Sequence, residues 1–218
     1  GGCASDLAAS CCGHAPAPGG CAHGAGSSGG SRPVGLAVSQ VPLPAGGWAL
    51  GGQKAYHTSV VLGGREYFFN PEGVQERLHA DGSAVPPSHE QKLATRVFEV
   101  GHTRRSGADL LRGLGAHFGP GTYDVLAKNC NAFTDCALAF LLSRRLPRKY
   151  SAVESLGQSA EGMVPAVVAL TLGGRYRANE KAVHFDRESV VMQVDENAWM
   201  GTAQAAYRYA DVDDGRGG

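Results

Sequence analysis

Two residues of this chain have the types and the setting of a cysteine nucleophile and its base. Cys130 stands between Asn129 and Asn131 at the predicted start of a helix, where the positive end of the helix dipole stabilises a thiolate. His57 lies in the strand-like run Tyr56–Leu62, and a strand holds a base more rigidly than a loop does. A histidine beside such a thiol activates the nucleophile of a cysteine hydrolase. We therefore predict that Cys130 and His57 act together, as a cysteine nucleophile and its base.

The same helix start could supply donors for an oxyanion. The backbone N–H of Cys130 would belong to the first helical turn, and Asn129 or Asn131 could add a side-chain amide. A buried cysteine is more often a small hydrophobe, and we assign Cys136 to packing because it lies in the middle of an apolar helix face. Cys130 differs, since packing gains nothing obvious from a thiol between two asparagines.

The other polar clusters predict less chemistry. The remaining histidines of the body lie in polar or loop-like contexts, so we predict that they are surface residues: His79, His89, His102, His117 and His184. Near the start of the chain, the spacing of Cys11, Cys12, His14, Cys21 and His23 fits no standard zinc site. We therefore predict no metal site and no cofactor.

The elements that must position His57 are strands. Four β-like runs precede the cysteine: Val34–Val38, Ala55–Leu62, Arg65–Phe69 and Thr95–Val100. Gly63 and Gly64 predict a tight hairpin between the second and third runs, because both central residues of a type I′ turn need positive φ. Alternation places His57 on one face with Ser59 and Val61. The polar stretch Glu76–Gln91 predicts a long loop.

The elements that must position Cys130 are helices. Ser106 and Asp109 have the spacing of a capping box and predict a helix that runs to about His117. Asn129 is the candidate cap of a second helix, from Cys130 to about Arg145. Beyond it, Ser151–Leu172 is weakly helical in pattern and Ala182–Val194 appears extended.

Composition limits the classes of protein to consider. The 218 residues carry 20 basic and 20 acidic side chains, so no basic surface for nucleic acid is predicted. Four of the six cysteines crowd near the start of the chain, which favours a reducing, cytosol-facing compartment over a disulfide scaffold. No apolar run approaches the roughly 18 residues of a membrane-spanning helix. We expect a flexible leader (1–31), a catalytic domain (32–172) and an extension of unclear structure (173–218).

Several sequence blocks carry a family resemblance. They are Tyr56–Val61, Glu66–Phe69, Tyr123–Thr134 and Leu146–Pro147. Over about Arg32 to Leu156 the chain resembles the PPPDE family of permuted papain-fold peptidases, also called DeSI-like isopeptidases. The resemblance implies a circularly permuted papain-like α+β fold, with an antiparallel sheet packed against helices, in which His57 is the general base and Cys130 the nucleophile. It further implies that SUMO or ubiquitin is removed from protein lysines through a thioester intermediate.

Three alternatives stay open at this point. The same attack on a thioester would make the protein an S-depalmitoylating thioesterase. A chain that binds a modifier without cleaving it would be a pseudoenzyme. The lecithin:retinol acyltransferase-like proteins also place a histidine before an Asn-Cys pair, but they usually continue with Glu-His, whereas Asn131 and Ala132 follow here. We rank that family last.

The leader suggests attachment to a membrane. Gly1-Gly2-Cys3-Ala4-Ser5 matches the N-myristoylation pattern if an initiator methionine preceded Gly1. Cys3 would then be a candidate for palmitoylation, and two lipid chains are what stable anchoring needs. The alternative is that a leader rich in Gly, Ala and Ser matches so loose a pattern by chance. We expect a cytoplasmic protein, held peripherally at the cytoplasmic face of a membrane if the leader is acylated.

Overall fold

The predicted antiparallel sheet forms the centre of the protein. A computed structural model of the chain describes residues 30–41, 54–79, 85–90, 92–151 and 176–195. Within these ranges the strands are β1 (Arg32–Val41), β2 (Ala55–Leu62), β3 (Arg65–Asn70), β4 (Gly73–Leu78) and β5 (Leu93–Thr103). They form one sheet in the order β4-β3-β2-β1-β5, and every neighbouring pair is antiparallel. The α+β class is confirmed.

The connections between β2, β3 and β4 are tight turns. Gly63 and Gly64 have φ angles of 59° and 71°, so the predicted hairpin is confirmed. The prediction of a long loop over Glu76–Gln91 is wrong in part, because β4 continues to Leu78 and Pro87–His89 forms a 3₁₀ turn. An edge strand that is half exposed needs few apolar residues, so β4 carries little of the alternation that reveals a strand.

Two helices cover one face of the sheet. Helix α1 (Gly107–Leu114) begins at the predicted capping box, in which Ser106 and Asp109 each accept from the other's backbone N–H. It ends three residues before the predicted end. Helix α2 (Cys130–Leu142) is capped by Asn129, whose side chain accepts from two backbone N–H groups. It stops at Ser143, which adopts a left-handed conformation with φ of 50°, before the predicted end at Arg145.

The hydrophobic core lies between the sheet and these helices. Phe69 of β3, Phe133 of α2 and Phe118 pack as a cluster with ring centroids 5.1 to 6.5 Å apart. Alternate residues of the central strands contribute to the same core: Val34, Leu36, Val38, Val60, Leu62 and Tyr67. The core therefore fixes β2 against α2, the two elements that carry His57 and Cys130.

The prediction of an extended segment over Ala182–Val194 is wrong. Glu180–Ala182 forms a 3₁₀ turn, and residues 187–195 form a helix, α3. Asp186 starts this helix by accepting from the backbone N–H of Glu188 and the hydroxyl of Ser189. Val190 and Val194 are buried in the core. Their spacing of four residues is helical.

Buried Asp124 joins the C-terminal part of the chain to the loop before α2. Its carboxylate accepts from the backbone N–H groups of Leu126 and Ala127 at 2.9 and 2.8 Å. It also accepts from the Tyr176 hydroxyl at 3.1 Å and from the Asn179 backbone N–H at 2.9 Å. Burial, together with the charge of Asp124, raises the pKa of Tyr176 to about 12. Residues 176–179 are therefore part of the packed structure.

Some expectations fall on residues outside these ranges. The predicted leader is described only at Gly30 and Ser31, and the weakly helical stretch Ser151–Leu172 only at Ser151. Gly1, Cys3 and the early cysteine and histidine cluster also lie outside the described residues. Within the described part of the chain, we find no helix with the length and apolar character needed to span a bilayer.

Candidate active site

The central sheet has two faces of opposite character. The face that packs against α1 and α2, here called the helix face, carries Thr58 and Val60 of β2. On the opposite face, here called the polar face, lie four buried polar residues: Ser39, His57, Ser59 and Glu66. The register agrees with this division, because Ser39 pairs with His57 and Val61 pairs with Glu66. The predicted alternation of side chains along β2 is confirmed.

Cys130 lies at the predicted helix start. It is the first residue of α2, it is buried, and its Sγ lies 3.7 Å from Asn131 Oδ1. Cys136 is fully enclosed six residues later on the same helix. Burial raises the pKa of the Cys136 thiol to about 12, so Cys136 stays protonated at neutral pH. The two cysteines of α2 thus have different environments: one at the helix entrance, one inside the core.

Asn131 joins the start of α2 to the strand that carries His57. Its Nδ2 donates to the carbonyl oxygens of Tyr56 and Tyr150 at 3.1 and 3.0 Å. Its Oδ1 accepts from the Thr58 hydroxyl at 2.8 Å. Tyr56 and Thr58 are the chain neighbours of His57. These bonds therefore join Asn131, the residue after Cys130, to the residues before and after the predicted base.

The two asparagines predicted as oxyanion donors both have structural partners. Asn129 uses its Oδ1 to cap α2 and donates from Nδ2 to the Val125 carbonyl at 2.9 Å. Asn131 has both amide hydrogens directed at backbone carbonyls. A role for either amide at an oxyanion would require one of these bonds to be exchanged, and it stays a prediction.

His57 is buried on the polar face and its ring bonds to Ser88. The distance from His57 Nε2 to Ser88 Oγ is 2.8 Å. The pKa of His57 is lowered to about 2, mainly by burial and then by the nearby His89 and Lys92. The ring is therefore neutral at physiological pH. Among the described residues, no hydrogen bond joins the His57 ring to Cys130, so the catalytic pair stays a prediction.

His89 is the functional candidate that sequence reasoning missed. The prediction that it is a surface residue is wrong, because its side chain is fully buried on the polar face. Its Nδ1 lies 2.6 Å from Ser39 Oγ and its Nε2 lies 2.9 Å from Ser59 Oγ. Burial first, and then the charge of Lys92, lowers the pKa of His89 to about 4. The neutral ring therefore forms no salt bridge with Glu66, although His89 Nε2 and Glu66 Oε1 are 3.6 Å apart.

His89 reaches this position because residues 85–90 cross over the polar face. Their proline-rich, polar sequence indicates only a loop. The available signal was instead in the strands, where Ser39, Ser59 and Glu66 occupy inward positions and need partners when buried. The other histidines that we predicted at the surface are exposed (His102 and His184) or half-buried (His79 and His117).

Glu66 anchors the crossing segment. It is fully buried, and its Oε2 accepts from the Ser88 backbone N–H at 2.8 Å. The Ser88 hydroxyl donates a short hydrogen bond to Oε1 of the same carboxylate. Lys92 donates from Nζ to the Ser88 carbonyl at 2.5 Å, and its charge adds to the effect of burial in lowering the pKa of both His57 and His89. The polar face is thus a connected network around Ser88.

Three residues of this network have donor atoms that could bind a metal. Within the described residues, one ligand atom each from His57, Glu66 and His89 lie within 4.8 Å of one another, and two imidazoles with a carboxylate are a zinc-type donor set. Each of the three residues, however, is already hydrogen-bonded to a serine hydroxyl. The hydrogen bonds satisfy the cluster without an ion.

Comparison with known families gives a match that spans the elements carrying these residues. The family model described as the PPPDE putative peptidase domain matches residues 39–168. The match includes β2 with His57 and the start of α2 with Cys130. A search of curated proteins found no match.

Proposed function

The chain belongs to the PPPDE peptidase family, and from that premise we propose that it is a cysteine isopeptidase. Its substrates are proteins that carry SUMO or ubiquitin on a lysine side chain. The observation that best supports this proposal is the bonding of Asn131, which ties the start of α2 to Tyr56 and Thr58 on either side of His57. That link brings the chain positions of the proposed nucleophile and base together. The order of histidine before cysteine fits a permuted papain-like arrangement.

In the proposed reaction, Cys130 transfers its thiol proton to the neutral His57 ring. The thiolate attacks the carbonyl carbon of the isopeptide bond, and the positive end of the α2 dipole stabilises negative charge at the helix start. His57 then gives the proton to the departing lysine amine. Water cleaves the resulting thioester, which releases the modifier with a free carboxylate and restores the thiol.

The proton transfer requires the His57 ring and the Cys130 thiol to come within hydrogen-bond distance. In the unliganded structure the bond of the His57 ring goes to Ser88. Catalytic hydrogen bonds are often long or poorly aligned until substrate binds. Here the His57 ring lies on the polar face while α2 packs against the helix face, so the approach on substrate binding is a larger change than the tightening of a bond, and it is part of the proposal.

A second candidate follows from the same observation. A protein in which the histidine bonds to Ser88 in place of the cysteine could bind a modifier without cleaving it. Such a protein would retain affinity for the modifier but would form no covalent adduct with it.

Electrophilic probes separate the two candidates. Ubiquitin and SUMO that carry a C-terminal thiol-reactive group are incubated with the full chain and with Cys130→Ala. We expect one probe to label the wild-type protein at Cys130 and the variant to lose at least about 1,000-fold in labelling and cleavage rate, because the proposed thioester forms on Cys130. Cys136→Ala is the matched control on the same helix, and it should keep its labelling.

Three other outcomes contradict the isopeptidase. Labelling at another cysteine, located by peptide mass spectrometry, excludes Cys130 as the nucleophile. Modifier binding by a folded protein that is not labelled favours the non-catalytic candidate. Turnover of a palmitoyl thioester without reaction at either probe favours the thioesterase.

Mass spectrometry of the N-terminal peptide from cells tests the separate proposal that Gly1 and Cys3 carry lipids and hold a cytoplasmic enzyme at a membrane.

A further inference from the structure

Ser88 lies between two buried side chains, and its single hydroxyl proton can serve only one of them. Ser88 Oγ is in hydrogen-bond contact with Glu66 Oε1 and with His57 Nε2. A carboxylate has only acceptors, so the proton of the Ser88 hydroxyl goes to Glu66. The Ser88 oxygen is then left as an acceptor toward His57. His57 must therefore donate, and the hydrogen of its neutral ring must be on Nε2.

From this order of donors we propose that Glu66 and Ser88 are positioning residues that hold His57 in the Nε2–H tautomer. The Nδ1 atom of the ring is then the one that carries a free lone pair. The catalytic meaning of this arrangement rests on the proposed function, because it makes Nδ1 the atom that receives the thiol proton. In this proposal both Glu66 and Ser88 act through the His57 ring.

Glu66, Ser88 and His57 form a chain of hydrogen bonds, here called the relay. The contacts around it favour one fixed arrangement. Glu66 is fully buried, and both of its oxygens accept from Ser88, one from the backbone and one from the hydroxyl. This double contact fixes the Ser88 side chain relative to the carboxylate. Lys92 adds a third bond to the same residue, at its carbonyl. A hydroxyl that is held this way has little freedom to turn its proton toward His57.

His89 forms its hydrogen bonds with other serines, although its Nε2 lies 3.6 Å from Glu66 Oε1. Its two ring nitrogens face Ser39 and Ser59, and its ring lies beside His57 with centroids 4.6 Å apart. His89 thus packs against the His57 ring. The centroid of the Phe68 ring lies 6.5 Å from that of the His57 ring. The titratable groups that face His57 are Glu66, His89 and Lys92.

The tautomer can be measured directly, without any assay of activity. Long-range ¹H–¹⁵N correlation spectra of the histidine-labelled full chain distinguish a protonated Nε2 from a protonated Nδ1, and the loss of signals in His57→Gln assigns the ring. We expect the wild-type ring to be in the Nε2–H form near neutral pH. A ring in the Nδ1–H form, or a cationic ring, overturns the proposal.

Variants then test which residues impose the tautomer. Ser88→Ala removes the acceptor and should give a mixture of tautomers, while Ser88→Thr keeps a hydroxyl and should restore the Nε2–H form. Ser59→Ala is the matched control, because Ser59 shares the polar face of β2 with His57 but bonds to His89. It should leave the His57 tautomer unchanged. An unchanged tautomer in Ser88→Ala would also overturn the proposal.

Kinetics separate a failure of the relay from a failure of the proposed function. If the protein is an isopeptidase, Ser88→Ala should lower kcat by about 10- to 100-fold with KM nearly unchanged, as is typical when the partner of a functional histidine is removed. Should Cys130→Ala retain activity while the ring is in the Nε2–H form, the proposed function fails and the relay stands. If Ser88→Ala does not fold, the wild-type spectrum still tests the tautomer, because an Nδ1–H ring overturns the proposal.

Discussion

The helix face of the sheet buries alternating apolar side chains against α1 and α2, whereas the polar face buries serines, a glutamate and two histidines beneath residues 85–90. On the helix face, contacts are numerous and nondirectional, so a poor fit at one position is shared by its neighbours. On the polar face each group depends on one or two specific partners. Loss of one partner leaves a buried donor or acceptor unsatisfied.

The largest effect on stability is expected on the helix face. Phe133→Ala removes a fully buried ring that contacts Phe69 and Phe118, and it should lower the free energy of unfolding by about 3 to 5 kcal/mol. Phe133→Leu, which retains most of the volume, is the matched control and should lose less. Urea denaturation followed by circular dichroism measures both. A loss below about 1 kcal/mol for Phe133→Ala would show that packing in this core contributes little to stability.

A smaller effect is expected at Asn131, where α2 meets β2. Asn131→Ala leaves the carbonyls of Tyr56 and Tyr150 and the Thr58 hydroxyl without this partner, and the free energy of unfolding should fall by about 2 to 3 kcal/mol. Thr58→Val removes only the hydroxyl and should lose about 1 kcal/mol. Equal losses in the two variants, measured by the same denaturation, would argue that the amide bonds to the carbonyls contribute little.

Of the two faces, the polar face is the one that should make the free energy of unfolding depend on mildly acidic pH. Because the pKa of His89 is lowered to about 4 and that of His57 to about 2, the unfolded chain takes up protons below about pH 6.5 that the folded protein does not. The free energy of unfolding should therefore be constant from pH 8 to 7. It should fall as the pH drops from 6.5 toward 4, by about 1 kcal/mol per pH unit for each ring.

His89→Gln tests that slope. The variant should show a shallower decline between pH 6.5 and 4, since one of the two rings is gone, while His184→Gln at the exposed surface should behave as the wild type does. Denaturation series at each pH supply the slopes. If His89→Gln and the wild type decline equally, the acid sensitivity comes from other groups and the contrast between the two faces weakens.

The two faces also differ in how far they could be predicted. The helix face follows from local patterns: the alternation along β2, the Gly63-Gly64 hairpin, the capping box at Ser106 and the cap at Asn129. Each of these depends on residues close together in the sequence. The same patterns identified Cys130 as the first residue of a helix, and they placed His57 on the correct face of its strand.

The polar face could not be predicted in the same way, because its bonds join distant segments. Ser39 and His89 are 50 residues apart in the chain, and Glu66 and Ser88 are 22 apart. No helical or strand period marks Ser88 or His89. Helix α3 was missed for a related reason: Val190 and Val194 provide only two core positions, too few to distinguish a short helix from an extended segment.

The contacts of Asp124 have a consequence for how the protein opens. Because one carboxylate binds both the loop that leads to Cys130 and the backbone of residues 176–179, neither segment can leave its place without breaking its own bonds to Asp124. The two segments should therefore exchange their amide hydrogens together, as one cooperative unit. A protein that binds residues 176–179 and draws them away would loosen the entrance of the cysteine helix from a distance.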